Sequence, residues 1–499
     1  MFRRIVCGIL SRNTAFWLLI LLQTTFIMLA MKSLGSRLFS VPAVLDVAAA
    51  VCVTAGSAPP GYKLAWILLI ALMPGSGGII YIYFRLTQKS FPREVNCAGI
   101  PEQDEGTMAS LRKEYPEYAG MSVYIAGVGG YPVYHNRRAE YYPLGELQFE
   151  AIKMELAKAT EYIYMEYFII RKGKMFSEIA ELLCRKAEQG LDVRLLYDGM
   201  GTGTCLSGRA MKRLTESGVR CRVFNPFRPF LSTVQNNRDH RKILVIDGVT
   251  AFNGGANIAD EYINCKERFG HWKDTAVMIQ GEAAANYAAM FLQLWENTDH
   301  ESRSSSIEPV RSDSAQHDGY VQPFSDSPLD AEPVGKRVYL ELIGRAESSV
   351  CITTPYLVPD EELLGQLVYA AKKGVDIRLI TPAIPDKKYV QRITRSYYSE
   401  LISTGVRIYE YTPGFIHAKC CVSDCKAAVI GTINLDYRSF YLHFESAAVF
   451  YGSSVIGDMQ ADFEASCKLS HEVTAEECRE RRIWDKAAGR LLRIAAPLL

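Results

Sequence analysis

Two stretches of this 499-residue chain set the same five residues at the same gaps: "DHRKILVIDGVTAFNGGANIAD" (239–260) and "FIHAKCCVSDCKAAVIGTINLD" (415–436). His240, Lys242, Asp247, Gly254 and Asn257 in the first match His417, Lys419, Asp424, Gly431 and Asn434 in the second. At roughly 5% usage each, Lys and Asp follow a given His at these gaps with a chance of about 0.3%. Two such hits among eight histidines, with Gly and Asn also matched, are not accidental. The other six histidines, His443 among them, have no repeated partner pattern and read as surface or core residues.

Residues two apart on a strand point to one face, so each His is presented together with its Lys. The glycines in "GGAN" and "GTIN" let backbone come close, and Asn257 and Asn434 offer amides to an anion. Facing each other, the two copies supply two imidazoles, two ammonium groups and two amides, a set suited to a phosphodiester. One imidazole attacks phosphorus, the other protonates the departing alkoxide, and Lys and Asn hold the charged oxygens. No metal or cofactor is expected. Asp247 and Asp424 lie off the His/Lys face; they either fix a histidine tautomer or serve the structure.

The elements that must position these groups are also duplicated. "YIYMEYFII" (162–170) reads as a buried strand, "FSEIAELLCRKAEQG" (176–190) as an amphipathic helix and "LDVRLLYD" (191–198) as the next strand. "SVCITTPYLV" (349–358), "DEELLGQLVYAAKKG" (360–374) and "VDIRLITP" (375–382) repeat that order. Equivalent landmarks are separated by 184 (Gly190 to Gly374), 187 (Gly218 to Gly405) and 177 residues (His240 to His417). The expected fold class is α/β: two tandem α/β/α domains (100–300 and 319–499) forming one pseudo-twofold site, joined by a Ser-rich charged linker at 301–318.

The chain is too long for one core, and 56 Lys and Arg balance 55 Asp and Glu. With no global positive field, nucleic acid is not an expected partner. The 13 cysteines form no metal-ligand spacing and read as reduced, small apolar residues. Residues 1–95 are expected to be a membrane anchor. "AFWLLILLQTTFIMLAM" (15–31) and "LAWILLIALMPGSGGIIYIYF" (64–84) are uncharged and of spanning length, the second kinked at Pro74 and Gly75. "LFSVPAVLDVAAAVCVTAG" (39–57) is a third candidate, costly because of Asp46. Arg3, Arg4 and Arg12 before the first span and Arg85, Lys89 and Arg93 after the last favour two spans, with both ends cytoplasmic. Three spans would separate them.

The paired H-x-K-x4-D motifs resemble the phospholipase D superfamily. More narrowly, "NNRDHRKILVIDG", "GGANIADEY", "TPYLVPD", "YTPGFIHAK" and "GTINLDYRSFYLHFE" resemble bacterial cardiolipin synthases of the phospholipase D type, over nearly the whole chain. The resemblance implies a multi-pass protein of the bacterial cell membrane with cytoplasmic catalytic domains. It implies transfer of a phosphatidyl group between two phosphatidylglycerols, giving cardiolipin and glycerol. It makes His240 the nucleophile and His417 the acid and base, or the reverse, with Lys242, Lys419, Asn257 and Asn434 on the phosphate. Glu166 and Glu445 are candidates to orient the histidines, the alternative being buried salt bridges. Two residues depart from the family pattern: Asp239 where Asn is expected, and Gly255 where Ser is commoner.

A hydrolase using water as acceptor is the first alternative, and a nuclease on the same fold the second. "NPFRPFLSTV" (225–234), with Phe227, Phe230 and Leu231 beside Arg228, is expected either to dip into the membrane interface or to pack on the core. Lys387, Lys388, Arg392 and Arg395 are expected either to bind anionic headgroups or to form a solvated helix face.

Overall fold

A computed structural model describes residues 40–87, 101–206, 208–226, 233–298, 317–330 and 332–498. The apolar segment 15–31, the loop tip with Phe227, Phe230 and Leu231, and linker residues 301–316 lie outside the described residues.

Residues 40–87 belong to a unit of their own, with helices α1 (Ser40–Ala55), α2 (Pro60–Leu72) and α3 (Gly77–Thr87). The expected kinked span over 64–84 is instead two helices of 13 and 11 residues, separated at Met73–Ser76. Pro74, which has no N–H, and Gly75 (φ +81°) break the helix, and Asp46, in the middle of α1, caps the amides that the break leaves free. Its carboxylate accepts the backbone N–H of Gly75 at 2.5 Å and of Gly78 at 2.8 Å, satisfying amides that a continuous helix would have used internally. Ala49, Val53, Ile70 and Tyr81 form the small core. Among the described residues, no helix is long and apolar enough to cross a membrane.

The second unit carries two sheets built to one plan. In the first half the strands are β1 (Arg138–Tyr142), β2 (Tyr162–Tyr167), β3 (Asp192–Asp198), β4 (Arg220–Phe224), β5 (Lys242–Ile246), β6 (Thr250–Gly254) and β7 (Ala276–Gln280). In the second they are β8 (Tyr320–Asp326), β9 (Ser349–Thr353), β10 (Asp376–Pro382), β11 (Arg407–Tyr411), β12 (Cys420–Ser423), β13 (Ala427–Gly431) and β14 (His443–Tyr451). The first sheet runs β1-β7-β6-β5-β2-β3-β4, and the second runs β8-β14-β13-β12-β9-β10-β11 with short strands added. Parallel and antiparallel pairings also match strand for strand, β2–β3 and β9–β10 being parallel, β2–β5 and β9–β12 antiparallel. Each strand therefore has a counterpart seven places later.

Local sequence explains the repeated unit. In the helix Lys174–Glu188 the residues Met175, Phe176, Ile179, Ala180, Leu183 and Cys184 recur at helical spacing and are buried. Each such buried aliphatic is worth about 1.5–3 kcal/mol. The chain then turns at Gly190 (φ +94°), a conformation that favours glycine, and enters β3. Its counterpart, the helix Glu361–Lys372, starts at Asp360, which accepts Leu363 N–H at 2.9 Å, and ends before Gly374 (φ +101°). The β5–β6 hairpin turns through Asp247 and Gly248 (φ +52° and +67°), and the β12–β13 hairpin through Asp424 and Cys425 (φ +51° and +54°).

Candidate active site

β5 and β12 begin at the motifs, and their histidines lie at the seam between the halves. His240 N–H donates to the Phe444 carbonyl of β14 at 2.9 Å, and His417 N–H donates to the Lys273 carbonyl just before β7 at 2.7 Å. Each motif is thus held by the opposite half. Gly254 and Gly431, which end β6 and β13, keep the strands close: a Cβ there would lie 2.4 Å from Thr275 O and 2.3 Å from Ser446 O.

The acids cross in the same way. His240 Nδ1 lies 2.9 and 3.0 Å from the two oxygens of Glu445, a carboxylate with no solvent exposure. His417 Nδ1 lies 2.6 Å from Asp274 Oδ2, equally buried. Glu445 also accepts from the Thr432 hydroxyl, and Asp274 accepts its neighbour Thr275 N–H at 2.9 Å. Burial lowers the pKa of both histidines, more than their acids raise it; that of His417 falls to about 4, with Lys419 adding to the fall. Burial raises Glu445, but the adjoining imidazoles of His240 and His443 outweigh it and hold the carboxylate well below its usual range. The resting pair is a neutral imidazole donating Nδ1–H to a carboxylate, which leaves Nε2 with its lone pair free.

Lys242 and Lys419 are buried beside the histidines, donating to the carbonyls of His240 and His417. Burial lowers Lys242 to about 7, against Glu445 and with Lys419 pushing the same way, and lowers Lys419 to about 8. The crossed His240–Glu445 and His417–Asp274 contacts bring the two motifs together, and Lys242 lies within the influence of Lys419, Asp274 and Glu445. Phe168 stands edge-on to His240 at 5.2 Å, and Tyr262, Trp272 and Phe415 surround His417 with ring centroids at 5.5 to 5.7 Å.

Several expected residues sit differently. Glu166 reaches no histidine; it pairs with Arg241 Nε at 2.6 Å. The strand register makes Thr353 the counterpart of Glu166, both lying opposite equivalent residues of β5 and β12. The true counterpart of Glu445 is Asp274, two residues before Ala276 as Glu445 is two before Ala447, with Ala276 opposite Gly254 and Ala447 opposite Gly431. The repeated pattern "DTAV" and "ESAA" carried that signal. Burial pushes Glu166 well above the usual carboxylate range; Arg241 opposes this and Asp239 adds to it. Asp239 is itself fully buried, 3.6 Å from Arg241 Nε.

Asp247 accepts the backbone N–H groups of Thr160, Glu161 and Tyr162 at 2.7 to 2.8 Å and the Thr160 hydroxyl at 3.0 Å. Asp424 accepts those of Glu347, Ser348 and Ser349 at 2.8 Å. Both motif aspartates thus staple their hairpin to the start of the neighbouring strand. Asn257 spends its amide on Tyr262 Oη (2.7 Å) and its carbonyl on Ile169 N–H (2.9 Å), whereas Asn434 Oδ1 is buried without a partner among the described residues. A Cβ at Gly255 would lie 2.1 Å from Asp274 Oδ1, so the glycine permits that carboxylate its place. Of the basic cluster at 385–398, Arg395 is paired with Glu410 at 2.7 Å and Arg392 lies 3.7 Å from Asp485.

His443, read from sequence as a surface or core residue, is in the site. Its ring lies 5.3 Å from that of His240, and its Nδ1 is 3.5 Å from Glu445 Oε1. His240, His443 and Glu445 are the described residues able to hold a metal ion, their ligating atoms lying within 4.8 Å of one another. Glu445 already accepts hydrogen bonds there from His240 and Thr432.

A doubled α/β fold with one His–Lys pair from each half at the seam defines a phospholipase D-type enzyme. A family model described as "Cardiolipin synthase, PLD-like domain" matches residues 152–295 and 339–467, and a phospholipase D-nuclease N-terminal model matches 44–85. The chain belongs to the family of cardiolipin synthases with phospholipase D-like domains. A cardiolipin synthase of Halalkalibacterium halodurans is 33% identical, covering 88% of this chain and 89% of its own. A protein of Streptococcus mutans serotype c named only as uncharacterized is 42% identical, over 87% and 96% respectively. In fold, the crystal structure of phosphatidylserine synthase from Haemophilus influenzae is similar, with TM-score 0.56 and 14% identity, over 73% of this chain and 95% of that one.

Proposed function

We propose that this chain transfers a phosphatidyl group from one phosphatidylglycerol to another, giving cardiolipin and glycerol. The observation that supports it is the crossed pairing, His240 on Glu445 and His417 on Asp274, at a buried site with two lysines. His240 Nε2 attacks phosphorus as the bond from phosphorus to glycerol oxygen breaks, and imidazolium His417 gives that oxygen its proton. His417 acquires this proton when the anionic diester enters the site. In the second half-reaction a hydroxyl of the incoming phosphatidylglycerol passes its proton to His417, its oxygen attacks phosphorus, and the bond from phosphorus to His240 breaks. Lys242 and Lys419 carry the charge of the phosphoryl oxygens, and the free Oδ1 of Asn434, an acceptor, suits a glycerol hydroxyl, whereas the Asn257 amide is already spent on Tyr262.

Glu445 and Asp274 hold each imidazole in the tautomer with Nε2 unprotonated and stabilise the imidazolium when it forms. Asp247 and Asp424 act only through the fold. A lipid substrate favours work at a bacterial membrane with the apolar N-terminal segments as anchor, and the basic residues flanking those segments favour its cytoplasmic side. Hydrolysis is the same first half-reaction with water as acceptor.

The test is lipid analysis of membranes carrying the full chain, supplied with labelled phosphatidylglycerol, beside His240→Ala and His417→Ala. Labelled cardiolipin and glycerol from the native chain, lost in both variants, is the expected result. Phosphatidic acid in place of cardiolipin would make the protein a hydrolase. No product from any of the three would overturn the reading.

A further inference from the structure

The C-terminal helix Ile483–Ala495 wears its faces the wrong way round for a solvated helix. Its inward face packs on the helix Lys388–Ile402 through Gly489, where a Cβ would lie only 2.8 Å from the Arg392 carbonyl. That contact is closed by polar groups. Arg493 donates to Glu400 at 3.0 Å and covers the Tyr397 ring at 3.8 Å, while Asp485 lies 3.7 Å from Arg392. At 3.6 residues per turn, the face opposite Gly489 carries Ile483, Trp484, Leu491 and Ile494. These are exposed by 75%, 82%, 70% and 41%. Packing among the described residues does not explain this arrangement, because the apolar face is the exposed one.

We propose that this helix is a docking surface for an anionic lipid bilayer and lies in the plane of the interface. Two observations select that occupant. Between residues 479 and 499 six basic residues outnumber two acidic ones; Arg493 and Asp485 are spent on the inward contact, and Lys486 and Arg490 flank the apolar stripe on one side. An apolar face edged by cations, with a tryptophan on it, matches the chemistry of a bilayer of acyl chains under negative headgroups. The stripe is also one helix wide, about 20 Å by 10 Å. That is well short of the ~800 Å² per partner that a stable dimer needs. The proposal goes beyond the chemistry of the paired histidines, since it concerns how the second half meets the membrane.

The experiment uses the full chain in vesicles of phosphatidylcholine, with or without phosphatidylglycerol, whose acyl chains carry bromine. Subtracting the emission of Trp484→Phe from that of the native chain isolates Trp484 among five tryptophans. With phosphatidylglycerol present, Trp484 emission should fall about twofold and shift to shorter wavelength. Lys486→Glu with Arg490→Glu should abolish this effect, and so should Leu491→Asp with Ile494→Asp, without change in the melting temperature. Trp484 remaining open to acrylamide in both kinds of vesicle would overturn the proposal. So would shielding from acrylamide without quenching by bromine, which would mean that another protein segment or a second copy covers the face. Transfer to short-chain phosphatidylglycerol in detergent is measured on the same variants and should persist, so failure of docking and failure of the proposed chemistry are read separately.

Discussion

Asp274→Asn is the substitution that asks most of the proposed division of labour. The wild-type carboxylate, fully buried, accepts from His417 Nδ1 at 2.6 Å. The neighbour left to that nitrogen is Lys419 Nζ, at 2.9 Å. Once the carboxylate becomes an amide, the ammonium can donate to Nδ1, and the imidazole proton moves to Nε2. His417 can then neither take a proton from an incoming hydroxyl nor be stabilised as imidazolium. Removing one partner of a buried charged pair costs about 3–5 kcal/mol, or ~10²–10⁴ in rate, in line with the ~10⁴ lost in a serine-protease triad on the equivalent change. The assay compares phosphatidylglycerol with a phosphatidyl ester of p-nitrophenol, whose leaving group departs without a proton. Asp274→Asn should lose that factor on phosphatidylglycerol yet keep a nitrophenolate burst within ~10-fold of wild type. Glu445→Gln should lose both, because His240 is the attacking group. A burst retained by Glu445→Gln and lost by Asp274→Asn would reverse the two roles. Equal loss of the burst in both would refute the assignment of separate roles altogether.

Asp247→Ala should lower stability by about 2–4 kcal/mol, from the loss of four hydrogen bonds to a carboxylate. The fraction still folded at low temperature should transfer at near wild-type rate, whereas a kcat loss without a fall in Tm would make this aspartate catalytic. Lys242 titrates near pH 7 and Lys419 near pH 8 in the free site, and a bound phosphodiester anion raises both. KM should therefore rise from about pH 7 as Lys242 deprotonates and more steeply above pH 8, by up to about tenfold per pH unit per lysine, and a KM flat to high pH would remove the lysines from phosphate binding. His240, His417 and His443 have folded pKa values below their unfolded value of 6.5, so between that pH and their folded values the unfolded chain binds more protons. Stability should be full above pH 6.5 and fall as the pH drops towards about 4, the folded value of His417. Thermal melts at stepped pH measure this, and His417→Asn should flatten the slope.

The sequence alone determined what depends on short spacing. A period of two along a strand puts His240 beside Lys242 and His417 beside Lys419, and the nearly constant offset between repeated landmarks revealed two halves of one plan. The family resemblance rested on the same local strings. The motif aspartates were legible as lying off the reacting face, and only the hairpin geometry showed where their carboxylates go.

What only the tertiary structure decided is what crosses between distant segments. Glu445 and His240 are 205 residues apart, and Asp274 and His417 are 143 apart. Which acid serves which imidazole follows from the register of β7 on β6 and of β14 on β13. Without that register Glu166 looked equivalent to Glu445, although its side chain meets Arg241. His443 has no repeated partner to mark it, and only its place at the start of β14 brings it beside His240. The break at Pro74 and Gly75 was legible in the run 64–84, but not that Asp46, some thirty residues earlier, accepts the amides of Gly75 and Gly78. In each case the deciding contact is a hydrogen bond or ring contact between residues far apart in the chain. Local spacing can mark such residues, as "DTAV" and "ESAA" do, but it does not say which partner each meets, because the energy of the contact exists only once the strands and helices have docked.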